Sequence, residues 1–537
     1  MFLKELFTII HQKYDILFIM KQTKKLLILA LFPLLYLFSC GTSSGGDPDG
    51  SIKINYNEYR QEIDGFGGSN AWTSVPRDLE TAQELVKLLY SRTKGIGLTI
   101  LRNRIPFRER LQGDDSAGVS DGFVARKSDN TYDYTVNPDG TKTFNLNWGS
   151  WDLSYTRSFI GQILELGGDG PEKLIIMSTP WTTPNNRVTQ WKEDVTGVSA
   201  KLDYKIDWNK PDIWGRLKRD KYEDYADLLA DYALNFEAKM GAPLSILSIQ
   251  NEPNYKVDYE SAYWNGANMR DFLNIAAQRF PKKGVILGKE GLGIMMPEFE
   301  NFNVNYAEMI KPSIDSPASN AIITHIGLHQ YNGAYDATDK AGARAFPEIL
   351  AAGKRFWQTE VSGSGGQMPY GTGIDNALFY ARMIHHDFTL SQTNAYLYWW
   401  LWRNGDKDKN FPGGLINIVD GDTIVTSKRL YALGQFSRFI RPGWFRIESD
   451  TSPKYGVCAS AYRNPKTNEI AIVLINDRNA VNTLLLNLEG AEFSEISAWR
   501  TSAYEELKGI GKQKTSKNTI NIKLPPKSIT TLYGRVK

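Results

Sequence analysis

Two glutamates stand at the ends of apolar segments that are typical of buried β-strands. Glu252 closes the segment 245–252 (SILSIQNE), and Glu360 closes the segment 355–360 (RFWQTE). A strand fixes the backbone of its last residue, while the side chain at that end opens into a pocket. Two such carboxylates at one barrel mouth, roughly 5–5.5 Å apart, are the pair that a retaining glycosidase uses. Either glutamate alone fits a solvated loop residue equally well, so the prediction rests on the pair.

The composition argues against several other classes of function. The chain has 537 residues, and its 63 basic and 60 acidic side chains leave a formal net charge of +3. This near balance gives no reason to expect nucleic acid or an anionic membrane surface as the main partner. There are five histidines and two cysteines without a metal-ligand spacing, so we predict no metal, no cofactor and no need for a divalent ion. Cys458 lies in an apolar strand-like segment and is interpreted as an inert core thiol.

The N-terminal segment has the pattern of an export signal. A basic segment at 20–25 (MKQTKK) precedes the apolar segment 26–38, which is short for a membrane span. The sequence LFSC that ends at Cys40 is typical of a bacterial lipobox, so Cys40 is predicted to be acylated and to become the mature N-terminus. We therefore assign 1–40 to a signal peptide that starts at Met20, and 41–50 to a flexible tether. The alternative is an uncleaved anchor helix. An exported lipoprotein at the cell surface or outer membrane follows, with the periplasm also open.

The segment 63–431 alternates apolar strand-like runs with amphipathic helical patterns, as parallel βα units do. Eight strands are predicted, at 63–66, 97–102, 173–178, 245–250, 285–288, 323–329, 355–359 and 395–400. Eight such units close a (β/α)8 barrel whose active site lies where the strands end. Two long insertions, 106–148 and 181–220, follow the second and third strands and are predicted to form loops that wall the cleft.

A different pattern covers 432–537, where short apolar strands are separated by turns without intervening helices. The predicted strands are 457–462, 470–475, 482–488, 494–499 and 528–533. We predict a small antiparallel β-sandwich, to which the strand-like N-terminal segment 51–62 adds a strand. The predicted fold class is therefore α/β, a TIM barrel followed by a β-sandwich.

Short motifs spread over 51–537 give the chain a family resemblance. They are GFGG at 65–68, ILR at 100–102, TPW at 179–181, QNEP at 250–253, HQY at 329–331, WQTE at 357–360, YWW at 398–400, RPG at 441–443 and LPPKS at 524–528. In this order and spacing they resemble glycoside hydrolase family 30, in the clan of retaining (β/α)8 glycosidases. The segment RMIHH at 382–386 and the sandwich are most similar to the family's xylan-cleaving branch. The resemblance implies that the β-sandwich docks on the side of the barrel.

The resemblance also implies roles for the two glutamates and their neighbours. Glu252 would be the general acid/base, and Glu360 the nucleophile that forms a glycosyl-enzyme intermediate. Arg102, at the end of the second strand, would lie beside Glu360 and lower its pKa, although a purely structural ion pair would look the same. Asn251 would bond a sugar hydroxyl, with a turn cap as the alternative.

Further side chains would line the pocket. His329 and Tyr331 follow the sixth strand at alternate positions, and the resemblance implies that Tyr331 bonds the nucleophile. Of the adjacent Trp399 and Trp400, strand alternation sends only one into the barrel lumen, and we favour Trp400. The histidines at 385–386 are interpreted as structural. The candidate platforms for sugar stacking are Trp72, Trp181, Trp264 and Trp400.

The loop after the eighth strand departs from the family pattern. Many xylan-cleaving members grip a glucuronic acid branch there with an arginine flanked by two tyrosines. The corresponding positions here hold Leu401, Asn404 and Asp406, so the cation is missing and Asp406 would repel a uronate. Arg403 is the neighbouring candidate, but a one-residue shift at a strand end turns a side chain to the opposite face. We predict that glucuronate is not required.

The sequence therefore predicts a secreted retaining endo-β-glycanase, monomeric and metal-independent, that acts on β-1,4-xylan. Two alternatives remain open at this point. One is another hydrolase of the same family, for a β-1,6-glucan, a β-1,6-galactan or a β-glucoside. The other is a surface lipoprotein that binds glycan without cutting it, against which the two retained carboxylates argue.

Overall fold

The computed structural model describes residues 51–73, 76, 78–107, 122–129, 131–184, 191–194, 215–255, 257, 260–331, 343–362, 373–405 and 413–537. The predicted signal peptide with Cys40, the tether 41–50 and Asp406 lie outside these residues. No helix in the described ranges combines the length and apolar composition needed to cross a membrane.

Eight parallel strands close a barrel in sequence order, which confirms the predicted fold class. The barrel strands, from first to eighth, are Gly65–Ser69, Ile100–Ile105, Ile175–Pro180, Ile246–Ser248, Gly293–Phe299, Ile323–His329, Arg355–Glu360 and Ala395–Trp400. Side chains from the barrel strands form a buried apolar cluster of Ile100, Met177, Ile246, Met295, Trp357, Ala395 and Leu397. This packed interior leaves the carboxyl ends of the strands as the open end of the barrel.

Seven of the eight predicted strands overlap the observed ones, and the fifth prediction is wrong. Residues 285–288 contribute only an isolated bridge between Leu287 and Leu292, and the fifth barrel strand is Gly293–Phe299. The glycine at its start and Pro297 within it both argue against a central strand by ordinary propensity rules. The error matters because Glu298 lies at the carboxyl end of this strand.

Helices surround the barrel and connect its strands. The α-helices are Leu79–Tyr90, Trp151–Glu165, Tyr222–Met240, Gly266–Lys282, Tyr306–Met309, Lys311–Asp315, Pro317–Ile322, Pro347–Ala351, Ile374–His386 and Lys428–Ser437. Short 3-10 turns occur at Gly167–Asp169 and Arg219–Lys221, and the π-helical segment Asp387–Ser391 follows Ile374–His386. The helix Tyr222–Met240, before the fourth strand, buries an apolar stripe and ends at Gly241, whose φ of 85° requires the freedom of glycine. The stripe comprises Tyr225, Leu228, Leu229, Tyr232 and Phe236.

Small sheets border the mouth where loops were predicted. In the described parts of the two insertions, Tyr134–Val136 pairs with Lys142–Phe144, and Lys192–Asp194 pairs with Gly215–Leu217. After the eighth barrel strand, a further sheet comprises Trp402–Gly405, Ile416–Val419 and Thr423–Thr426.

The second part of the fold is a ten-stranded sheet that closes over its own core. In spatial order its strands are Glu505–Lys512, Phe493–Ser502, Ser528–Val536, Glu469–Asn476, Val457–Arg463, Trp444–Ser449, Ser51–Ile63, Asn482–Glu489, Thr519–Leu524 and Thr515–Ser516. Apolar residues from both halves of this order, including Leu474 and Leu486, share one buried cluster, as the two sheets of a sandwich do. The N-terminal strand Ser51–Ile63 pairs with Trp444–Ser449 on one side and with Asn482–Glu489 on the other. The ten-stranded sheet also has residues outside this cluster that pack on the helices of the barrel. One such contact is between the rings of Tyr462 and Phe388.

Candidate active site

The structure brings Glu252 and Glu360 together at the carboxyl ends of the fourth and seventh barrel strands. One carboxylate oxygen of each lies within 4.8 Å of the other and of a ring nitrogen of His329. Both glutamates are largely buried, with 9% and 5% of their surface exposed. Glu252 has a φ of 42°, a left-handed conformation that is strained for a non-glycine residue. Strained backbone of this kind is common where a side chain is aimed at a reacting group.

Glu360 is bound on both of its oxygens. Arg102 Nη1 donates to Oε2 at 2.5 Å, and the hydroxyl of Tyr331 donates to Oε1 at 3.2 Å. Burial raises the pKa of Glu360, and the charges of His329 and Arg102 oppose that rise. A guanidinium bonded directly to one of two coupled carboxylates favours the charge on that carboxylate. The bonds from Arg102 and Tyr331 therefore orient Glu360 and favour its charged form, and they offset only part of the rise in its pKa that burial causes.

His329 is the partner of Glu252. Its Nδ1 lies 2.9 Å from Glu252 Oε1, and its Nε2 lies 3.8 Å from Glu360 Oε2. Burial alone would lower the pKa of His329, but Glu360, Glu252 and Glu298 raise it to about 9. The imidazole is thus a cation at neutral pH and donates to Glu252, which fixes the orientation of that carboxyl group.

Asn251 is held in place by Arg102. Its side-chain oxygen accepts from Arg102 Nη2 at 2.6 Å, and its backbone N–H donates to the carbonyl of Pro180. Arg102 thus contacts Asn251, Glu360 and Glu298 at once, and it is fully buried. The predicted neighbourhood of Arg102 and Glu360 is observed.

Glu298 is the residue at this site that the sequence reasoning missed. It is fully buried, with Oε1 at 3.0 Å from Arg102 Nη2 and Oε2 accepting from the Thr179 hydroxyl at 2.9 Å. Burial alone would raise the pKa of Glu298, but Arg102 and His329 lower it to about 2. The signal was present in the sequence, because the apolar run GIMMPEF places a glutamate at a strand end as the other two segments do.

Four tryptophans form a cluster on one side of the mouth. Ring centroids lie 5.0 Å apart between Trp72 and Trp181, 5.6 Å between Trp181 and Trp399, and 5.2 Å between Trp399 and Trp400. The guanidinium of Arg102 lies 4.6 Å from the centroid of Trp181. Trp181 is 2% exposed, so it supports the wall and leaves no ring face for a sugar. Trp72 and Trp400 are half-buried and retain surface toward solvent.

The choice of Trp400 over Trp399 as the lumen residue is wrong. Ala395 and Leu397 point into the lumen, and Tyr398 packs in the outer core, so alternation sends Trp399 inward. Trp400 joins the same cluster because the register of the eighth strand against the first shifts between Tyr398 and Trp400. Both indoles therefore belong to the wall of the site.

Trp264 is not a platform. It is 1% exposed, and its ring packs against Tyr222 and Phe272 in the core between helices. Its position after the QNEP motif made it a candidate, but the chain turns its ring away from the mouth. The prediction for Trp264 is therefore wrong.

Leu401 and Arg403 are described residues of the segment that follows the eighth strand. The guanidinium of Arg403 lies 3.9 Å from the centroid of Trp400, where burial lowers its pKa. Leu401 is fully buried and packs against Gly68, so it cannot touch a sugar. Arg403 thus lies over the ring of Trp400, which also packs against Trp399 and remains half-buried.

Two groups of described side chains bring possible metal-ligand atoms within 4.8 Å of one another. The first is Glu252, His329 and Glu360, in which the protonated imidazole is a poor ligand. The second is His385, His386 and Cys458, buried between a barrel helix and the sandwich. Burial, His386 and the charge of Arg446 lower the pKa of His385, and the charge of Arg446 would repel a cation. The prediction that no metal is needed stays a prediction.

Comparisons with known proteins agree with this geometry. No sequence model of a protein family matches the chain. It is 27% identical over 361 residues to glucuronoxylanase XynC of Bacillus subtilis, an alignment that covers 66% of this chain and 73% of that protein. The family 30 subfamily 8 xylanase Xyn30A of Clostridium acetobutylicum superposes with a TM-score of 0.65 at 26% identity, over 90% of this chain and 99% of that one.

A third similarity concerns the fold alone. The catalytic domain of xylanase C from Talaromyces cellulolyticus superposes with a TM-score of 0.66 at 21% identity, over 91% of this chain and all of that one. The ordered motifs, the barrel with its sandwich and the paired strand-end glutamates lead to one assignment. The chain is a glycoside hydrolase that is similar to family 30, and within that family its similarity is to the xylan-cleaving branch.

Proposed function

We propose that the protein is an exported retaining endo-β-1,4-xylanase that cleaves xylan by double displacement. The observation that carries the proposal is the close pair of carboxylates, whose nearest oxygens lie within 4.8 Å of each other. Retaining enzymes hold their two carboxyl groups about 5–5.5 Å apart, whereas inverting enzymes need about 6.5–9.5 Å to fit a water molecule between them. The pair in this chain fits the retaining spacing.

The surroundings of each glutamate support distinct roles in the two steps. In the first, Glu360 attacks the anomeric carbon while Glu252 passes its proton to the leaving glycosidic oxygen, and a glycosyl ester forms. In the second, ionised Glu252 takes a proton from water, which attacks the same carbon and frees Glu360. Arg102 and Tyr331 hold Glu360 charged and aimed for the first step. His329 orients Glu252 in both.

Xylan is the substrate that the comparisons favour, because the curated relative is a glucuronoxylanase and the solved neighbour at 26% identity is a xylanase. Trp72 and the exposed part of Trp400 are the platforms that we propose for xylose rings. Other β-glycans remain the second candidate. No described feature favours one of them.

Hydrolysis of glucuronoxylan is expected to continue at a similar rate after its uronic acids are removed. The reason is that Leu401 is buried and Arg403 already stacks on Trp400. The measurement is reducing-sugar release from native and uronate-stripped glucuronoxylan, arabinoxylan, β-1,6-glucan and β-1,6-galactan, with Glu360→Gln as the inactive reference. A large fall in rate on the stripped polymer, with every product carrying a uronate at a fixed position, would show that Arg403 or the loop beyond it grips the branch. Activity on none of the polymers would contradict the xylanase proposal itself.

The export proposal makes its own prediction. Cys40→Ala is expected to move the protein from the membrane fraction of the producing bacterium to a soluble fraction, because acylation at Cys40 would be its anchor. The measurement is fractionation followed by immunoblotting, with Cys458→Ala as the matched control that should leave the distribution unchanged. If Cys40→Ala stays with the membrane, the uncleaved anchor helix is favoured instead.

A further inference from the structure

Glu298 occupies the centre of the charged network and yet has no part in the two-step reaction. Its carboxylate forms an ion pair with Arg102 at 3.0 Å and lies 3.7 Å from His329 Nε2. The hydroxyl of Thr179, from the third strand, also donates to its Oε2, and Ser248 of the fourth strand contributes to lowering its pKa. No solvent reaches it.

The backbone of Glu298 is tied to the acid/base candidate as well. Its carbonyl accepts from the N–H of Glu252 at 3.0 Å, and both residues have left-handed φ angles, 50° and 42°. The turn that aims Glu252 into the mouth is therefore fastened to the end of the fifth strand. Glu298 therefore supports Glu252 through its backbone carbonyl. Through its side chain it contacts Arg102, the cation that binds Glu360.

The balance of charge in the site depends on the carboxylate of Glu298. Glu252, Glu298 and Glu360 face two cations, Arg102 and His329, in a site that is largely closed to water. With all three carboxylates ionised the group carries one excess negative charge, so one bound proton makes it neutral. Without the charge of Glu298, the group would be neutral with no such proton. Low-dielectric sites favour the neutral arrangement.

We propose that Glu298 is a positioning residue whose charge holds Arg102 and His329 as cations and keeps one proton in the site, available to Glu252 as the acid. It acts through these neighbours and does not touch the sugar. The kinetic test of this inference rests on the proposed function, whereas an NMR titration of His329 does not depend on activity.

The kinetic test compares Glu298→Gln, which removes the charge, with Glu298→Asp, which keeps it. The high-pH limb of kcat/KM reports the loss of the proton that catalysis requires. In Glu298→Gln this limb is expected to move to lower pH by about one to three units, the size expected for one charge at this distance. Glu298→Asp should lose turnover and keep the limb close to that of the wild type. Equal losses of rate in both variants with unmoved limbs would show a merely structural role.

The second test follows the imidazole of His329 by NMR in the full chain, with its signal assigned through His329→Gln. In the wild type, the ring is expected to stay protonated until about pH 9. In Glu298→Gln it should lose its proton at least about one pH unit lower. If that variant fails to fold, the wild type still decides, since a neutral His329 at pH 8 would overturn the proposal. An inactive wild type would count against the xylanase proposal and leave this titration as a separate result.

Discussion

Glu360→Ala is expected to lower xylan hydrolysis by about 10⁴-fold, the scale seen when a group that acts in the transition state is removed. The variant loses the oxygen that attacks the anomeric carbon, and no other described carboxylate is placed to take over. Glu298 is closest in character, but Arg102 and Thr179 bind its oxygens and it is fully buried. The measurement is kcat/KM on xylan and on a β-xylobioside with a good aryl leaving group.

Azide provides the diagnostic control for this prediction. Azide that enters the space left by the Glu360 carboxylate attacks from the nucleophile's side in a single displacement, so the product is expected to be the α-glycosyl azide. Glu290→Ala is the matched variant, because Glu290 is an exposed glutamate at the opposite end of the barrel and should leave the rate unchanged. Wild-type-like activity in Glu360→Ala, or rescue to the β-azide, would remove Glu360 from the role of nucleophile.

The sequence predicted the barrel and the paired glutamates because both depend on local patterns. Glu252 and Glu360 each close an apolar run, and parallel strands of a closed barrel bring their carboxyl ends to one mouth whatever the details of the loops. Arg102 followed from the same reasoning. The expectation that 51–62 adds a strand to the sandwich came from a strand-like alternation of apolar and polar residues, as in Ile52, Lys53 and Ile54.

Glu298 was missed, although it also lies at the end of an apolar run, because its strand violates the rules by which strands are recognised. Gly293 and Pro297 lower the strand propensity of that segment. The closed barrel overrides this propensity, since a gap at the fifth position would leave two buried edges unpaired. The local sequence pattern argues against a strand here, whereas closure of the barrel requires one. Glu298, a residue of the site, lies on this strand.

The tryptophans show a different limit. Trp264 and Trp181 are close in sequence to site motifs, and proximity along the chain does not reveal which way a ring turns. The choice between Trp399 and Trp400 assumed strict alternation of side chains along the strand. A register shift of one residue breaks that alternation. Side-chain direction at a strand end is set by neighbouring strands, and these lie far away in the sequence.

Glu252→Ala is expected to abolish xylan cleavage to a similar extent, about 10⁴-fold, while sparing substrates that need no acid. The xylose leaving group departs as a poor alkoxide unless it is protonated, whereas a dinitrophenolate departs unaided. The first step on an aryl β-xylobioside should therefore remain fast, and the glycosyl-enzyme should accumulate because no base activates water for the second step. Mass spectrometry of the intact protein measures this as a covalent sugar adduct on Glu360.

Azide separates the two glutamates by the product that each variant forms. In Glu252→Ala it attacks the accumulated intermediate from the face that water would use, so the β-glycosyl azide is expected, opposite to the product of Glu360→Ala. His329→Gln is the matched comparison, because it removes the hydrogen bond at 2.9 Å and keeps the Glu252 carboxyl group. That variant should lose rate on xylan without accumulating the adduct to the same extent. If Glu252→Ala slowed xylan and the activated aryl glycoside equally, with no adduct and no β-azide, Glu252 would be a structural residue and the acid would have to be sought elsewhere at the mouth.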